Sequence, residues 1–498
     1  MTYPEVIKYL NSFINYERIP RYPYKQSLKL GRIKEFLHVL NNPQNDLKSI
    51  HIAGTKGKGS TCAFVANILR KAGYKIGLYT SPHLSDFRER IRVLDPCPLT
   101  RTPLPVTPYP LPEFEGMISE EELSALAERL SPEIDKYNSR SKYGALSFFE
   151  VYTALAFEYF KEKGIDFAVL ETGLGGRLDA TNAVDSLISA MTPISYEHTR
   201  QLGITLSEIA FEKAGIIKNS CQLPVASCFA QDASSFDRLG TNTERRRSVG
   251  CQAIVITAPQ EEEAMKVIRD RCSSQGAVLY EIGKDIIFER KEFCRNYQSF
   301  NISGEFGELL DLKINLLGMH QVINATLAVA IVSALSKFFK IRVGLEAIRS
   351  GLYNTIWPGR FEITSQEPQV ILDGAQNVAS AKALKETIAE IFSDKRVVLV
   401  LGISKDKDIA GICRELCPFA EEIILTQADN PRAADVDGIG EVIRSQMPAG
   451  YRINKARKVR EAIELASQKA GPEDLILVTG SLFLVGEVRD LLRAESEK

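Results

Sequence analysis

Residues 49–72 set a glycine-rich loop between a short apolar strand and an apolar helix, and no other stretch of the chain restricts its fold so tightly. A strand containing Ile50 leads into His51-Ile52-Ala53-Gly54-Thr55-Lys56-Gly57-Lys58-Gly59-Ser60-Thr61, and Ala63, Val65, Ala66, Ile68 and Leu69 continue as a helix. The glycines let backbone N–H groups converge on an anion at the helix N-terminus, where the macrodipole adds positive potential. Lys58 supplies a fixed charge for β and γ phosphates, and Ser60 or Thr61 offers a hydroxyl to phosphate or magnesium. A glycine turn with a Ser/Thr cap would explain a lone Gly-Lys pair. Here the flanking strand and helix that a phosphate loop physically needs are both present, which favours nucleotide binding. The loop is a variant of Gly-x4-Gly-Lys-Ser/Thr: Ile52 stands five before Gly57, and Gly59 separates Lys58 from Ser60.

Short β-branched runs followed by helical patterns recur along the chain. They are 49–53 before 58–72, then Phe167 to Glu171, Val370 to Asp373 before 379–392, and Val397 to Gly402 before 408–418. Such alternation means an α/β fold with parallel sheets. A length of 498 residues favours two or more domains. The helical pattern of 320–351 stops before Trp357-Pro358-Gly359, so the division expected is 1–357, holding the nucleotide motif, and 358–498, a Rossmann-like unit. Two stretches break the pattern. Pro96 to Pro112 contains seven prolines and reads as an exposed, extended loop, and 232–250, with Arg245, Arg246 and Arg247, reads as a solvated insertion.

Lys+Arg of 62 against Asp+Glu of 63 leaves no overall field to recruit nucleic acid or an anionic membrane, so a small-molecule substrate is expected. The nine cysteines are scattered without a Cys-x-x-Cys pair, which argues against a zinc cluster or disulfide framework. No apolar run looks long enough to span a membrane, and the chain reads as soluble and cytoplasmic.

The variant loop Gly-Thr-x-Gly-Lys-Gly-Ser resembles that of the Mur ligase superfamily, specifically its folylpolyglutamate synthase/dihydrofolate synthase branch. The resemblance continues upstream in Leu30-Gly31-Arg32-Ile33 and Asn42-Pro43-Gln44. Downstream it runs through Tyr79-Thr80-Ser81-Pro82-His83-Leu84, Glu89-Arg90-Ile91, the glycine-rich run Glu171 to Asn182, Lys213 to Lys218, Trp357-Pro358-Gly359-Arg360 and Asp373-Gly374-Ala375. It implies a P-loop Mur-ligase-type ATPase domain with a parallel-rich sheet, followed by a smaller Rossmann-like α/β domain. The implied activity is ATP-dependent addition of L-glutamate to dihydropteroate, to the γ-carboxylate of folates, or to both, through an acyl phosphate. A monomer with ATP and two magnesium ions is implied as well.

Individual residues carry these expectations, each beside a plainer alternative. Gly54, Thr55, Lys56, Gly57, Lys58, Gly59, Ser60 and Thr61 would hold ATP, with Asn324, Arg360 and Asp373 reaching it. Asn324 could instead be polar capping of its helix. Glu171 ends an apolar strand at the sheet's carboxyl edge, where a hard oxygen suits magnesium; otherwise it is a loop acid in water. Ser81 is similar to the family's metal-ligating serine, although alone it would be a helix cap. By resemblance His198 matches a ligand of the second magnesium, and Lys213 a lysine carried as a carbamate. Lys213 would also be at home as a cation near a helix end. Lys58, Glu171, His198 and Lys213 are thus the expected catalytic set.

Ser147 and Glu150 form a capping box, and Phe149 between them, with Asp179, matches the residues that hold the pterin ring. Ser81, His83, Gln376, Asn377 and Ser481 complete the implied substrate contacts, Ser481 being equally explicable as an N-cap. One departure stands out. After Asp373-Gly374-Ala375 the family has His-Asn-Pro, whereas this chain has Gln376-Asn377-Val378, and glutamine cannot become a cation near neutral pH. Two rival readings remain. Asp429-Asn430-Pro431-Arg432 resembles a motif of the cell-wall ligase that adds a diamino acid, but only 48 residues precede Ser49, too few for the sugar-nucleotide domain expected there. The other rival is a nucleotide-binding regulator without ligation.

Overall fold

A strand with no exposed face belongs in the middle of a sheet covered on both sides, and Ser49–Ala53 (β1) is buried along its whole length. The computed structural model describes residues 1–19, 22–97, 111, 114–219, 252–446, 450 and 452–496. In it β1 is the central strand of a seven-stranded sheet ordered β3-β2-β4-β1-β5-β6-β7. The other strands are Ile76–Tyr79 (β2), Ile91–Leu94 (β3), Phe167–Glu171 (β4), Ile188–Met191 (β5), Ile254–Thr257 (β6) and Val278–Glu281 (β7). All neighbours run parallel except β2 and β3.

The helix Lys58–Lys71 leaves the phosphate loop and packs against the helices Met319–Phe339 and Leu345–Tyr353 on one face of this sheet. Glu120–Asn138 and Phe148–Lys163 cover part of the opposite face. Met319–Phe339 corrects the expectation about apolar runs. With a mean hydropathy of 1.8 it is long and apolar enough to cross a membrane, yet 67% of its most apolar window is buried inside the protein. A helix enclosed on several sides by other elements must be apolar nearly all round. The expected helical stretch 320–351 is two helices, separated where Lys340 turns into the left-handed region (φ 58°).

A three-stranded antiparallel sheet, Ile286–Phe293 (β8), Gln298–Gly304 (β9) and Leu309–Ile314 (β10), intervenes, and the sequence reading did not anticipate it. The second parallel-rich sheet follows, ordered β11-β12-β16-β13-β14-β15. Its strands are Glu362–Gln366 (β11), Gln369–Asp373 (β12), Val397–Leu401 (β13), Glu422–Leu425 (β14), Arg452–Lys455 (β15) and Leu475–Thr479 (β16). Only the edge pair β11–β12 is antiparallel. Helices Val378–Ile391, Ile409–Leu416 and Val436–Gln446 cover one face, and Val459–Lys469 and Leu482–Ser496 the other. The chain thus changes face when it returns to lay β16 between β12 and β13, which opens a crevice at the carboxyl ends of those strands. This is the parallel-rich α/β arrangement expected. The proline-rich loop and the 232–250 insertion fall outside the described residues, apart from 96, 97 and 111.

The helix Phe148–Lys163 begins with the expected capping box, but Glu150 does more than cap. Arg32 Nε donates to both of its carboxylate oxygens (2.8 and 2.9 Å), and both side chains are only 6% exposed. Removing one partner of such a pair strands the other charge away from water. Arg32→Leu should therefore lower unfolding stability by about 3 kcal/mol in urea denaturation; an unchanged midpoint would show the pair to be dispensable.

Candidate active site

The phosphate loop takes its shape from two left-handed glycines and from what stands behind them. Gly54 has φ 146° and Gly57 φ 81°. A Cβ on Gly54 would lie 1.9 Å from Thr192 Oγ1, and one on Gly57 would lie 2.1 Å from Asn324 Oδ1. Side chains from β5's exit and from the helix Met319–Phe339 are therefore pressed against the loop backbone. Thr55 N and Lys56 N donate to Pro193 O (3.0 and 3.3 Å), and Thr55 Oγ1 donates to Ser195 O (3.1 Å) while accepting from Ser195 N (3.0 Å). Thr61 Oγ1 is buried with no hydrogen-bond partner among the described residues, as a hydroxyl meant for phosphate or metal would be.

Parallel pairing of β1 with β4 sets Ile52 beside Glu171, so the loop and the acid leave the sheet together. Lys58 Nζ lies 3.7 Å from Glu171 Oε1, and Ser81 N donates to Glu171 Oε2 (3.2 Å). Burial pushes the Glu171 carboxyl up, while Lys58, the Ser81 N–H and Arg360 hold it down. Arg360 comes from the C-terminal part of the chain, and burial lowers its guanidinium against the pull of Asp373 and Glu171. Asp373 itself accepts from Phe361 N and Ala375 N, both at 2.9 Å.

Lys213 ends the helix Leu206–Lys213 and is buried there, its Nζ donating to Gly54 O at 2.6 Å. Burial, reinforced by Lys58, lowers its ammonium to about 7. His198, in the left-handed region at φ 51°, is open to the cleft by surface area yet hemmed in by protein. That crowding lowers it to about 4, with Glu197 opposing and Lys407, Lys213 and Lys58 adding. The ring is therefore a neutral imidazole, free to be a ligand.

A cleft of about 690 Å³ takes residues from both parts of the chain and shares Ser81, Pro82 and Leu482 with a small pocket lined by Gly59, Glu171 and Arg360. The N-terminal part contributes Ser81, Phe149, Leu174, Asp179 and His198; the C-terminal part contributes Gln376, Asn377, Lys407, Arg432 and Phe483. Phe149 is pressed on Gly173, where a Cβ would lie 2.6 Å from its ring. Asp179 Oδ2 accepts from Leu174 N (2.8 Å), and Oδ1 from Thr181 N (3.0 Å) and Thr181 Oγ1 (2.5 Å).

One expected contact lies outside the cleft lining, and two others serve as helix caps. His83 is turned to Arg90, whose Nε donates to His83 Nδ1 at 2.8 Å, and it does not line the cleft. Ser481 Oγ accepts from Phe483 N (3.2 Å), and Asn377 Oδ1 from Ser380 N (2.9 Å), so both cap helices at the crevice. Contacts that the sequence does not announce cross the cleft: one ion pair, and one hydrogen bond from an arginine that is itself paired within the C-terminal part. Lys407 Nζ reaches Glu197 Oε1 at 3.0 Å; Arg432 pairs with Asp406 at 2.6 Å and donates to Glu17 O at 2.8 Å. The charged run 405–408 directly after β13 was the available signal. Among the described residues no three His, Cys, Asp or Glu gather as a metal cage. Glu171 and Ser81 fit magnesium differently, since that ion takes one or two protein oxygens and leaves the rest to phosphates and water.

Residues 359–482 match the family model "Mur ligase, glutamate ligase domain". A dihydrofolate synthase/folylpolyglutamate synthase of Bacillus subtilis (strain 168) is 32% identical over 468 residues, 93% of this chain and 95% of that one. The chain belongs to the folylpolyglutamate synthase/dihydrofolate synthase family. Among solved members, a Mycobacterium tuberculosis folylpolyglutamate synthase complexed with ADP superposes with a TM-score of 0.81 at 28% identity, covering 98% of each chain. An Escherichia coli member in complex with DHPP and ADP gives 0.77 at 27% identity, covering 99% of this chain and 98% of that one.

For this family member the loop geometry yields a direct expectation. Gly57→Ala forces a side chain into the left-handed region, about 1–2 kcal/mol of strain, and displaces Asn324 as well. ADP affinity measured by calorimetry should fall tenfold or more, about 1.4 kcal/mol per decade; undiminished affinity would contradict the geometry.

Proposed function

We propose that this chain joins L-glutamate to dihydropteroate, to a folate γ-carboxylate, or to both, by first phosphorylating the acceptor carboxylate with ATP. The observation that carries this reading is adjacency: a cleft that receives Gln376, Lys407 and Arg432 from the second parallel-rich sheet adjoins, through the shared walls Ser81, Pro82 and Leu482, a small pocket lined by Gly59, Glu171 and Arg360 at the phosphate loop. Ligation needs that pairing: a phosphoryl donor on one side and an amine on the other.

ATP lies along Gly54 to Thr61, with loop N–H groups and Lys58 stabilising charge on the transferring phosphoryl group. Asn324, Arg360 and Asp373 bound the nucleotide. The acceptor ring sits against Phe149 and hydrogen-bonds to the Asp179 carboxylate, which leaves the acceptor's own carboxylate to attack the γ phosphorus and expel ADP. The glutamate amine then attacks the acyl carbon, and phosphate leaves as the amide forms. Gln376 orients the amino acid by hydrogen bonding alone, and Lys407 and Arg432 supply the cations for its carboxylates. Magnesium held by Ser81 and Glu171, and a second ion held by His198 and a carbamate on Lys213, would screen the charge gathered at the phosphates.

The burial of Lys213 supports the carbamate. Carbamylation needs the neutral amine, whose nitrogen bonds the carbon of carbon dioxide and releases a proton. With the ammonium lowered to about 7, the neutral form dominates above that pH and is lost below it. Enzyme stripped of carbon dioxide should regain activity on adding bicarbonate, to an extent that rises as pH passes from below to above about 7. Lys213→Arg should show no such recovery. Activity indifferent to carbon dioxide at every pH would remove the carbamate from the mechanism.

Mass analysis of products tests the function itself. Dihydropteroate and tetrahydrofolate are each incubated with ATP and glutamate, and a mass increase of one glutamyl unit identifies the acceptor. A parallel arm with a diamino acid tests the cell-wall alternative. ADP release without any ligated product, or no turnover at all, would contradict the proposal.

A further inference from the structure

The imidazole of His51 is buried in the middle of β1, 1% exposed, on the central strand of the sheet and at a position where Ile or Val would pack. The mechanism above gives it no part, yet it is not isolated. His51 Nε2 lies 2.8 Å from Thr181 Oγ1, and Thr181 Oγ1 lies 2.5 Å from Asp179 Oδ1. A hydroxyl has one proton to give, and the short contact to a carboxylate oxygen claims it. Thr181 Oγ1 must then accept from the ring, which fixes His51 as the Nε2–H tautomer. Burial, aided by Lys218, lowers the ring to about 3, in keeping with a neutral donor.

We propose that His51 is a positioning residue for the acceptor substrate: through the Thr181 hydroxyl it holds the Asp179 carboxylate in the orientation that a ring bearing N–H donors meets in the cleft. The inference rests on the reading of Asp179 as the acceptor's hydrogen-bond partner. The donors on this carboxylate include Leu174 N–H, Thr181 N–H and the Thr181 hydroxyl, with the Gly173 N–H beside them. The hydroxyl is the one that a further donor polarises, and hydrogen bonds in such a chain strengthen one another. Burial raises the Asp179 carboxyl, and these donors oppose that rise, so the relay favours the charged acceptor form. The relay also has a mechanical consequence. Three residues after His51, the same strand opens into the phosphate loop at Gly54, so one strand sets both the carboxylate that meets the acceptor and the loop that meets ATP.

The test separates acceptor binding from everything else. In steady-state assays with dihydropteroate, His51→Leu should raise the acceptor KM about tenfold while kcat and the ATP KM stay within about twofold, the loss of one charge-linked hydrogen bond. His51→Gln, which returns an N–H donor at similar reach, should recover the acceptor KM to within about threefold of the parent. Thr181→Val breaks the relay at its centre and should raise the acceptor KM at least as much; it carries the test should His51→Leu fail to fold. The double variant should be no worse than Thr181→Val, because both interrupt one chain. An unchanged acceptor KM in His51→Leu or Thr181→Val overturns the proposal, as does an equal rise in the ATP KM, which would mark a general structural defect. Asp179→Asn distinguishes the two levels. If it leaves the acceptor KM unchanged, the reading of the site itself is wrong; if it raises that KM steeply while the His51 and Thr181 variants do not, only the relay is wrong.

Discussion

Everything in this molecule depends on a short length of backbone whose N–H groups are offered to an anion. Backbone donors are almost always satisfied within a fold, so aiming several at a ligand requires structure that denies them other partners. Thr55 and Lys56 spend their N–H groups on Pro193 O, so the donors left for an anion are those where the helix Lys58–Lys71 begins; two left-handed glycines shape that turn, and Thr192 and Asn324 close the space behind it. Lys58 and Glu171, 3.7 Å apart, then leave the central strands together, a cation and a carboxylate set at the same sheet edge.

Lys58, Lys213, Arg360, Lys407 and Arg432 share a confined region with Glu171, Glu197, Asp179 and Asp373. Burial lowers Lys213 and Arg360 and raises Glu171, Asp179 and Asp373, which is what happens when ionic groups lose water before their ligand arrives. Glu197 is the exception: burial pushes it up, but the cations about it, Lys407 first, hold it well below the usual carboxylate range. It is also the acid through which the C-terminal part grips the N-terminal part beside His198. The cleft is therefore held partly by charge before substrate enters, and nucleotide would join the same network.

Much of this was legible in the sequence, because local order carries it. The strand, glycine loop and helix at 49–72 could be read from spacing alone, as could the capping box at Ser147 and the strand ends at Glu171 and Asp373. What could not be read was non-local. The antiparallel sheet of 286–314 hid behind charged residues, since Glu289, Arg290 and Lys291 on a half-solvated strand blur its alternation. The pairing of Lys407 with Glu197 spans 210 residues, and no local pattern announces it. His83 looked like a ligand by its motif, whereas Arg90 claims its ring nitrogen. The polar start of the helix Met319–Phe339, His320, Gln321 and Asn324, masks how apolar a helix enclosed on several sides must be.

The central claim is that the nucleotide loop hands its terminal phosphoryl group to a carboxylate before any amine takes part. The most direct measurement is positional isotope exchange, with ATP labelled at the oxygen bridging its β and γ phosphorus atoms. With acceptor present and glutamate withheld, reversible transfer frees the β phosphate to rotate, so label should move from bridge to non-bridge positions, and it should stay in place when acceptor is omitted. Label that remains in the bridge with acceptor bound, in enzyme shown to ligate once glutamate is added, would contradict the acyl phosphate and the account built on it.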